Sequence, residues 1–213
     1  MSRFFRNCLV SVFLLAVSYN ALSKQGLAGH QAQAAPKFTI RLYNYAHVPL
    51  KTLAEAKREV TIIFREAGLE TAWLDCPLSM AEFETYPGCQ QPSGRASLIL
   101  RILPRAMAER VPSSNDTLGY ALPGSAGVPG RIANVFFHRV EELARSGQGL
   151  EYQILGRTMA HEIGHLLLGS TGHAPTGIMK AKWSRYELQP ASLGALLFTP
   201  QQGVLIQSEV ANR

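Results

Sequence analysis

Residues 159–183 read MAHEIGHLLLGSTGHAPTGIMKAKW and carry two histidines four positions apart, His161 and His165, with Glu162 directly after the first. The apolar residues of this region recur at helical spacing, which predicts a helix over residues 150–168. Side chains four apart project from one face of a helix, so the two imidazoles can converge on one point. Zinc requires such convergence, since neutral imidazole is one of its usual ligands.

Glu162 lies beside the first histidine but is offset around the helix, so its carboxylate can miss a bound metal and reach a metal-bound water instead. That division of roles is typical of zinc hydrolases, in which the carboxylate acts as general base. The alternative is a helix that carries two ordinary polar histidines. The glycine stop at Gly169 and a further histidine on the following loop favour the zinc site.

A catalytic zinc site uses three protein ligands and keeps one position open. Two residues are candidates for the third ligand: His173, on the loop after the helix, and Glu187, in the segment SRYEL. A glutamate ligand would make the site resemble the gluzincins. The sequence lacks the further acidic residues of their second motif, and Met179 would then have no role.

The motif resembles that of the metzincin zinc peptidases, H-E-x-x-H-x-x-G-x-x-H followed by a methionine-containing turn. HEIGH matches the first half, and GIMK with Met179 looks like the turn. The match departs at the third histidine, because His173 is eight residues after His165 where the pattern has six, and Thr171 occupies the pattern's position. A loop two residues longer, made flexible by Gly169 and Gly172, can still bring His173 to the metal.

The resemblance implies an α+β fold of the metzincin type: a twisted mixed β-sheet with an antiparallel edge strand over the cleft, a backing helix, the active-site helix and a C-terminal helix. It further implies that His161, His165 and His173 bind Zn²⁺, that Glu162 is the catalytic base, and that an extended peptide substrate pairs with the edge strand. The stretch LGYAL, residues 118–122, is the candidate for that strand.

The pattern of the remaining chain agrees with this class. Alternating or continuous apolar runs predict strands, an apolar stripe ending at Gly68 predicts a helix from residue 50, and Thr199-Pro200 begins a closing helix. The predicted strands cover residues 38–45, 70–75, 97–103 and a segment that begins near residue 131 and leads into a helix.

Residues 1–34 are predicted to be a signal peptide and a short linker, and residues 35–213 a single metzincin-like catalytic domain. Arg3 and Arg6 precede an apolar run too short to span a bilayer, and a small polar segment with an A-x-A cleavage candidate follows. An uncleaved anchor is the alternative. Cleavage predicts a secreted or periplasmic protein without stable membrane association.

The mature chain would keep two cysteines, Cys76 and Cys89, and an even pair in an exported protein predicts a disulfide; two buried thiols are the alternative. The whole chain carries a formal charge of +6, and without residues 1–34 it has 18 basic and 15 acidic side chains. This weak bias has no basic stripe with interleaved aromatics, so nucleic acid is not an expected partner.

The sequence therefore predicts a monomeric, exported zinc metalloendopeptidase whose partner is a peptide or protein substrate. Two other functions stay open. One is a catalytically silent zinc-binding module that holds a peptide, for which the carboxylate of Glu162 would have no purpose. The other is a zinc hydrolase of a non-peptide amide or ester, which needs the same metal chemistry.

Overall fold

The computed structural model describes residues 34–90, 94, 96–125, 128–189 and 196–213. The chain from Ala35 to Arg213 forms one compact unit. The predicted signal segment lies outside the described residues apart from Ala34, so its cleavage stays a prediction.

A five-stranded mixed sheet organises the unit, in the order β2-β1-β3-β5-β4. Strands β2, β1, β3 and β5 are parallel, and β4 joins β5 in the antiparallel direction at the edge of the sheet. The predicted mixed α+β architecture with an antiparallel edge strand is thereby confirmed. The strands are β1 (Lys37–Asn44), β2 (Glu70–Asp75), β3 (Ser97–Leu103), β4 (Gly119–Leu122) and β5 (Ile132–Phe136).

One face of the sheet is apolar because alternate residues of each strand point to it. Ile40 on β1 lies opposite Leu98 on β3, and Leu42 lies opposite Leu100, and all four side chains are buried. Two long helices pack on this face, α1 (Leu50–Glu66) and α6 (Glu151–Leu168).

The two long helices approach each other closely at Gly156. A Cβ atom placed there would lie 2.8 Å from the Ala56 carbonyl oxygen and 2.7 Å from Cβ of Glu59, so only glycine fits. Beside this contact the buried guanidinium of Arg157 donates from Nε to Glu59 Oε1 over 3.1 Å. Helix α6 is therefore fixed to α1 one turn before its histidines.

The other helices of the described chain are α2 (Met80–Phe83), α3 (Pro87–Gln90), α4 (Arg105–Ala108), α5 (Phe137–Arg145), α7 (Arg185–Leu188) and α8 (Pro200–Asn212). Helix α8 is the predicted closing helix, and Thr199 caps it in a reciprocal pair of hydrogen bonds with Gln202. Among the described residues no helix is both long and apolar enough to cross a bilayer.

The predicted disulfide is confirmed: Cys76 and Cys89 are bonded across the loop between β2 and β3. This loop contains the one-turn helices α2 and α3, which its sequence pattern does not predict. The crosslink and its neighbours hold the loop in place, since Arg41 of β1 donates to the Cys89 carbonyl oxygen over 3.4 Å.

Candidate metal site

Helix α6 brings His161 and His165 together near its C-terminal end. The helix stops at Gly169, whose φ of 62° is the left-handed conformation that glycine adopts without strain. The ring centroids of the two histidines are 4.7 Å apart, and His161 is buried. The convergence inferred from their spacing is present in the structure.

Hydrogen bonds to two backbone carbonyls set the orientation of these rings. His161 Nδ1 is 2.7 Å from the Ile178 carbonyl oxygen, and His165 Nδ1 is 2.8 Å from that of Ser170. Because a carbonyl oxygen only accepts, each Nδ1 carries the proton and each Nε2 is left with a lone pair.

The two Nε2 atoms face each other at 3.1 Å. Two lone pairs at this distance repel, whereas a cation between them is attracted by both. Two nitrogens of a tetrahedral zinc site, each about 2.05 Å from the ion, lie roughly 3.3 Å apart. The spacing in the structure is close to that required, so the pair fits a bound zinc ion.

His173 completes a three-histidine group. Its ring centroid is 5.3 Å from that of His161 and 5.1 Å from that of His165, and one ligand atom from each ring lies within 4.8 Å of the others. The longer loop is folded back by two hydrogen bonds, from Gly172 N to Ser170 Oγ (3.0 Å) and from Ala174 N to the Met179 carbonyl oxygen (2.8 Å).

The turn of residues 177–179 supports two of the three histidines through consecutive carbonyl groups. The Ile178 carbonyl oxygen accepts from His161 Nδ1, and the Met179 carbonyl oxygen accepts from the backbone N–H of Ala174, the residue after His173. Gly177 has a φ of 72°, and a Cβ there would lie 2.4 Å from the Leu197 carbonyl oxygen. Met179 itself is buried beneath α6 at Gly164, where a Cβ atom would lie 2.6 Å from the methionine sulfur, so only glycine leaves room for it.

Glu187, the other candidate ligand, is engaged elsewhere. Its carboxylate accepts from Lys180 Nζ at 2.7 and 2.8 Å and from the backbone N–H of Ser184 at 2.7 Å. The hydrogen bond from Lys180 is the main reason that the pKa of Glu187 falls to about 2. Glu187 is not a member of the three-histidine group, and it holds Lys180, the residue directly after Met179.

Both histidines of α6 are in the state that binds a metal. Burial lowers the pKa of His161 to about 4, against a smaller opposing effect of the Ile178 hydrogen bond, and burial also lowers the pKa of His165. Neutral imidazole is therefore present at neutral pH. These two side chains therefore do not have to lose a proton before binding a metal.

The side chain of Glu162 is only 5% exposed, because it projects from α6 against the edge strand. Burial raises its pKa to about 8, which suits a group that accepts and returns a proton near neutral pH. The strand approaches closely at Gly119, where a Cβ would lie 2.5 Å from the Asn134 carbonyl oxygen and 2.9 Å from both Cγ and Oε1 of Glu162. Gly119 is a positioning residue for this carboxylate.

For the zinc hydrolase that the sequence predicts, we expect Gly119→Ala to lower activity about 100-fold, because the new methyl group displaces the carboxylate of the predicted general base. Initial rates with a cleaved peptide, together with zinc content, measure the effect. Gly203→Ala on α8 is the matched control, since a Cβ there meets nothing closer than 3.6 Å. Equal activity of the two variants would show that the close approach at Gly119 has no catalytic consequence.

Burial of Glu162 also predicts a pH-dependent stability of the metal-free protein. Its pKa rises on folding from 4.5 to about 8, so the folded state holds this proton more tightly, and the free energy of unfolding falls as pH increases through that window. Glutamine cannot ionise. The Glu162→Gln variant should melt at least about 3 °C above wild type near pH 9, with little difference near pH 4.5. A pH-independent difference would contradict the assignment.

The site opens into a cleft of about 1320 Å³. Two of the segments that line it contact the site from different elements: the edge strand meets Glu162 at Gly119, and the segment after the turn of residues 177–179 meets His161 through Trp183. We call the edge strand with the loop before it one rim, and the segment after the turn the second rim. Trp183 lies on this second rim. It is half-buried against the core and also lines the cleft, and its indole nitrogen donates to the Ile178 carbonyl oxygen that accepts from His161.

Sequence reasoning does not identify Gly119 or the carbonyls of Ser170 and Ile178 as parts of the site. Every residue has a backbone carbonyl group, so the amino-acid sequence does not show which of them contact the site. Gly119 stands at the start of the predicted edge strand, and a glycine in a strand can indicate close approach of another group. That signal could have pointed to Gly119.

No family model matches the chain, and no curated protein matches it. Among solved structures, archaemetzincin from Methanopyrus kandleri is similar at 17% sequence identity and a TM-score of 0.48, over 83% of this chain and 97% of that one. At this TM-score the likeness adds nothing to the description of the fold or the site, which rests on the residues of this chain.

Proposed function

We propose that this protein is an exported zinc-dependent metallopeptidase. The observation that carries the proposal is the arrangement of His161 and His165, whose bare Nε2 atoms face each other at 3.1 Å beside the buried carboxyl group of Glu162. His161, His165 and His173 would hold the ion. The motif resemblance to metzincins and the edge strand beside the site support a peptide as the substrate.

Zinc, when bound, supplies Lewis acidity that polarises a carbonyl group and lowers the pKa of water. Residues of the protein would orient the substrate, shield the site from water and transfer the proton. The edge strand would orient an extended peptide, and the close packing of Gly119 against Glu162 leaves that side chain little exposed to bulk water. A carboxylate oxygen of Glu162 takes a proton from the attacking water and later returns it to the leaving amine.

The proposal includes export to a secreted or periplasmic compartment. The disulfide supports it, because such bonds persist mainly in oxidising compartments. It also includes a monomer that acts on peptides or proteins, with no nucleic-acid partner and no stable membrane association.

A metal-loading and cleavage experiment separates this function from the two alternatives. Residues 35–213, refolded under oxidising conditions, are analysed for bound zinc and incubated with a mixed peptide library, with and without a chelator. One zinc per chain and chelator-sensitive cleavage are expected. Bound zinc with no cleavage of peptides, amides or esters would favour a binding module. Cleavage confined to non-peptide amides or esters would favour the other hydrolase class.

A further inference from the structure

An ion pair crosses the cleft at the end where the edge strand begins. Asp116, in the loop before β4, accepts from Lys182 Nζ over 2.7 Å, and Lys182 lies in the segment after the turn of residues 177–179. Both residues line the cleft. The pair joins the rim that contacts Glu162 to the rim that contacts His161, and we call it the strap.

Each end of the strap is attached to an anchored segment. On one rim Arg139 of α5 donates to the carbonyl oxygens of Ser114 (2.8 Å) and Thr117, on either side of Asp116. On the other rim Lys182 stands between Lys180, which is paired with Glu187, and Ser184, which caps α7.

An isolated exposed ion pair contributes little, partly because two mobile side chains must be ordered. Here the backbone on both sides is already fixed by other bonds, so less freedom is lost when the strap forms.

The direction of the edge strand indicates which part of a substrate meets the strap. A peptide that adds to β4 in the antiparallel direction has its C-terminal part towards the start of β4, where Asp116 lies. Its N-terminal part runs towards the end of β4, where the exposed side chain of Leu122 lines the cleft, as does that of Val128 in the following segment.

The position of Glu162 limits how many substrate residues fit between the cleaved bond and the strap. The bond to be cleaved must lie beside Glu162, and Glu162 touches the strand at Gly119. Asp116 precedes Gly119 by three positions. Three residues of chain span at most about 10 Å. Asp116 lies no farther away than that, because the turn of residues 114–117 is closed by a hydrogen bond from Thr117 N to the Ser114 carbonyl oxygen (3.1 Å). An extended peptide therefore has room for at most about three residues between the cleaved bond and the strap.

We propose that the strap of Asp116 and Lys182 limits substrates to those with about three or fewer residues beyond the cleaved bond, so that the enzyme removes short fragments from the C-terminal ends of peptides. This inference rests on the proposed peptidase function. It assigns to the strap a role in substrate length, separate from the metal chemistry.

The test uses one peptide that the wild type cleaves and extends it in two series, on the C-terminal or on the N-terminal side of the cleaved bond. For wild type we expect kcat/KM to fall at least about tenfold when the C-terminal side grows from about three to about six residues. Extension on the N-terminal side should have little effect. In Asp116→Asn and Lys182→Gln the C-terminal length dependence should largely disappear.

Lys57→Gln is the matched control, because it removes an ion pair with Asp75 outside the cleft, and it should keep the length dependence of wild type. Cleavage by wild type that is insensitive to C-terminal length would overturn the inference and leave the peptidase function intact. A length dependence retained in both strap variants would overturn it as well. Loss of the peptidase function is distinguished by the absence of cleavage for every peptide length.

Discussion

Glu162→Gln is expected to lower the rate of peptide hydrolysis by about 10²- to 10⁴-fold while the protein still binds one zinc ion. The reason is that the carboxyl group lies beside the three-histidine group without belonging to it, so its loss removes a proton acceptor and leaves the ligands in place. The effect should fall on kcat more than on KM, since glutamine fills the same space but cannot take a proton.

Two companion variants sharpen this measurement. Glu162→Asp keeps a carboxylate but withdraws it, and it should retain part of the activity that glutamine loses. Glu142→Gln changes another cleft-lining carboxylate, whose partner is Arg105, and it should behave nearly as wild type. If Glu162→Gln keeps more than about a tenth of the wild-type rate, Glu162 is not the general base.

The second large effect concerns the ligands. Alanine at His161, His165 or His173 should weaken zinc binding on the order of 10²- to 10³-fold, the contribution of one ligand to a zinc site. Glu187→Gln should change affinity less than about tenfold, because this carboxylate holds Lys180 rather than the metal. Competition with a chromophoric chelator measures all four variants. A larger loss in Glu187→Gln than in His173→Ala would contradict the assignment.

The sequence predicts those parts of the fold whose signal is local. The four-residue spacing of His161 and His165, the glycine stop at Gly169 and the alternation in β1 all report on neighbouring residues, and the structure has the corresponding helix and strand. The one-turn helices α2 and α3 are different. They lie in a loop held by the crosslink at Cys89, and no periodic pattern encodes such a long-range constraint.

The third ligand is also a feature that local sequence patterns do not determine. Counting residues leaves both His173 and Glu187 within reach, and the longer spacing departs from the family pattern. Two contacts in the structure favour His173: Lys180 donates to the Glu187 carboxylate, and Ala174, the residue after His173, donates to the Met179 carbonyl oxygen. Both contacts lie in the largely irregular segment after α6, and a periodic pattern of apolar residues predicts only contacts within helices and strands.

Burial of Glu162 links the stability of the metal-free protein to the proposed function of the site. A carboxyl group held away from water at neutral pH destabilises the metal-free fold, and a bound cation nearby offsets that cost. The same burial gives the group a proton affinity suited to catalysis. The proposed catalytic role would account for a carboxyl group at this position, where burial of an apolar side chain would cost less.

The most direct test is the position of zinc in a crystal of the loaded protein, located from anomalous scattering at the zinc absorption edge. We expect one peak at about 2.0 to 2.1 Å from a ring nitrogen of each of His161, His165 and His173, with Glu187 still paired to Lys180. A peak bound by Glu187, or one that leaves His173 out, would contradict it.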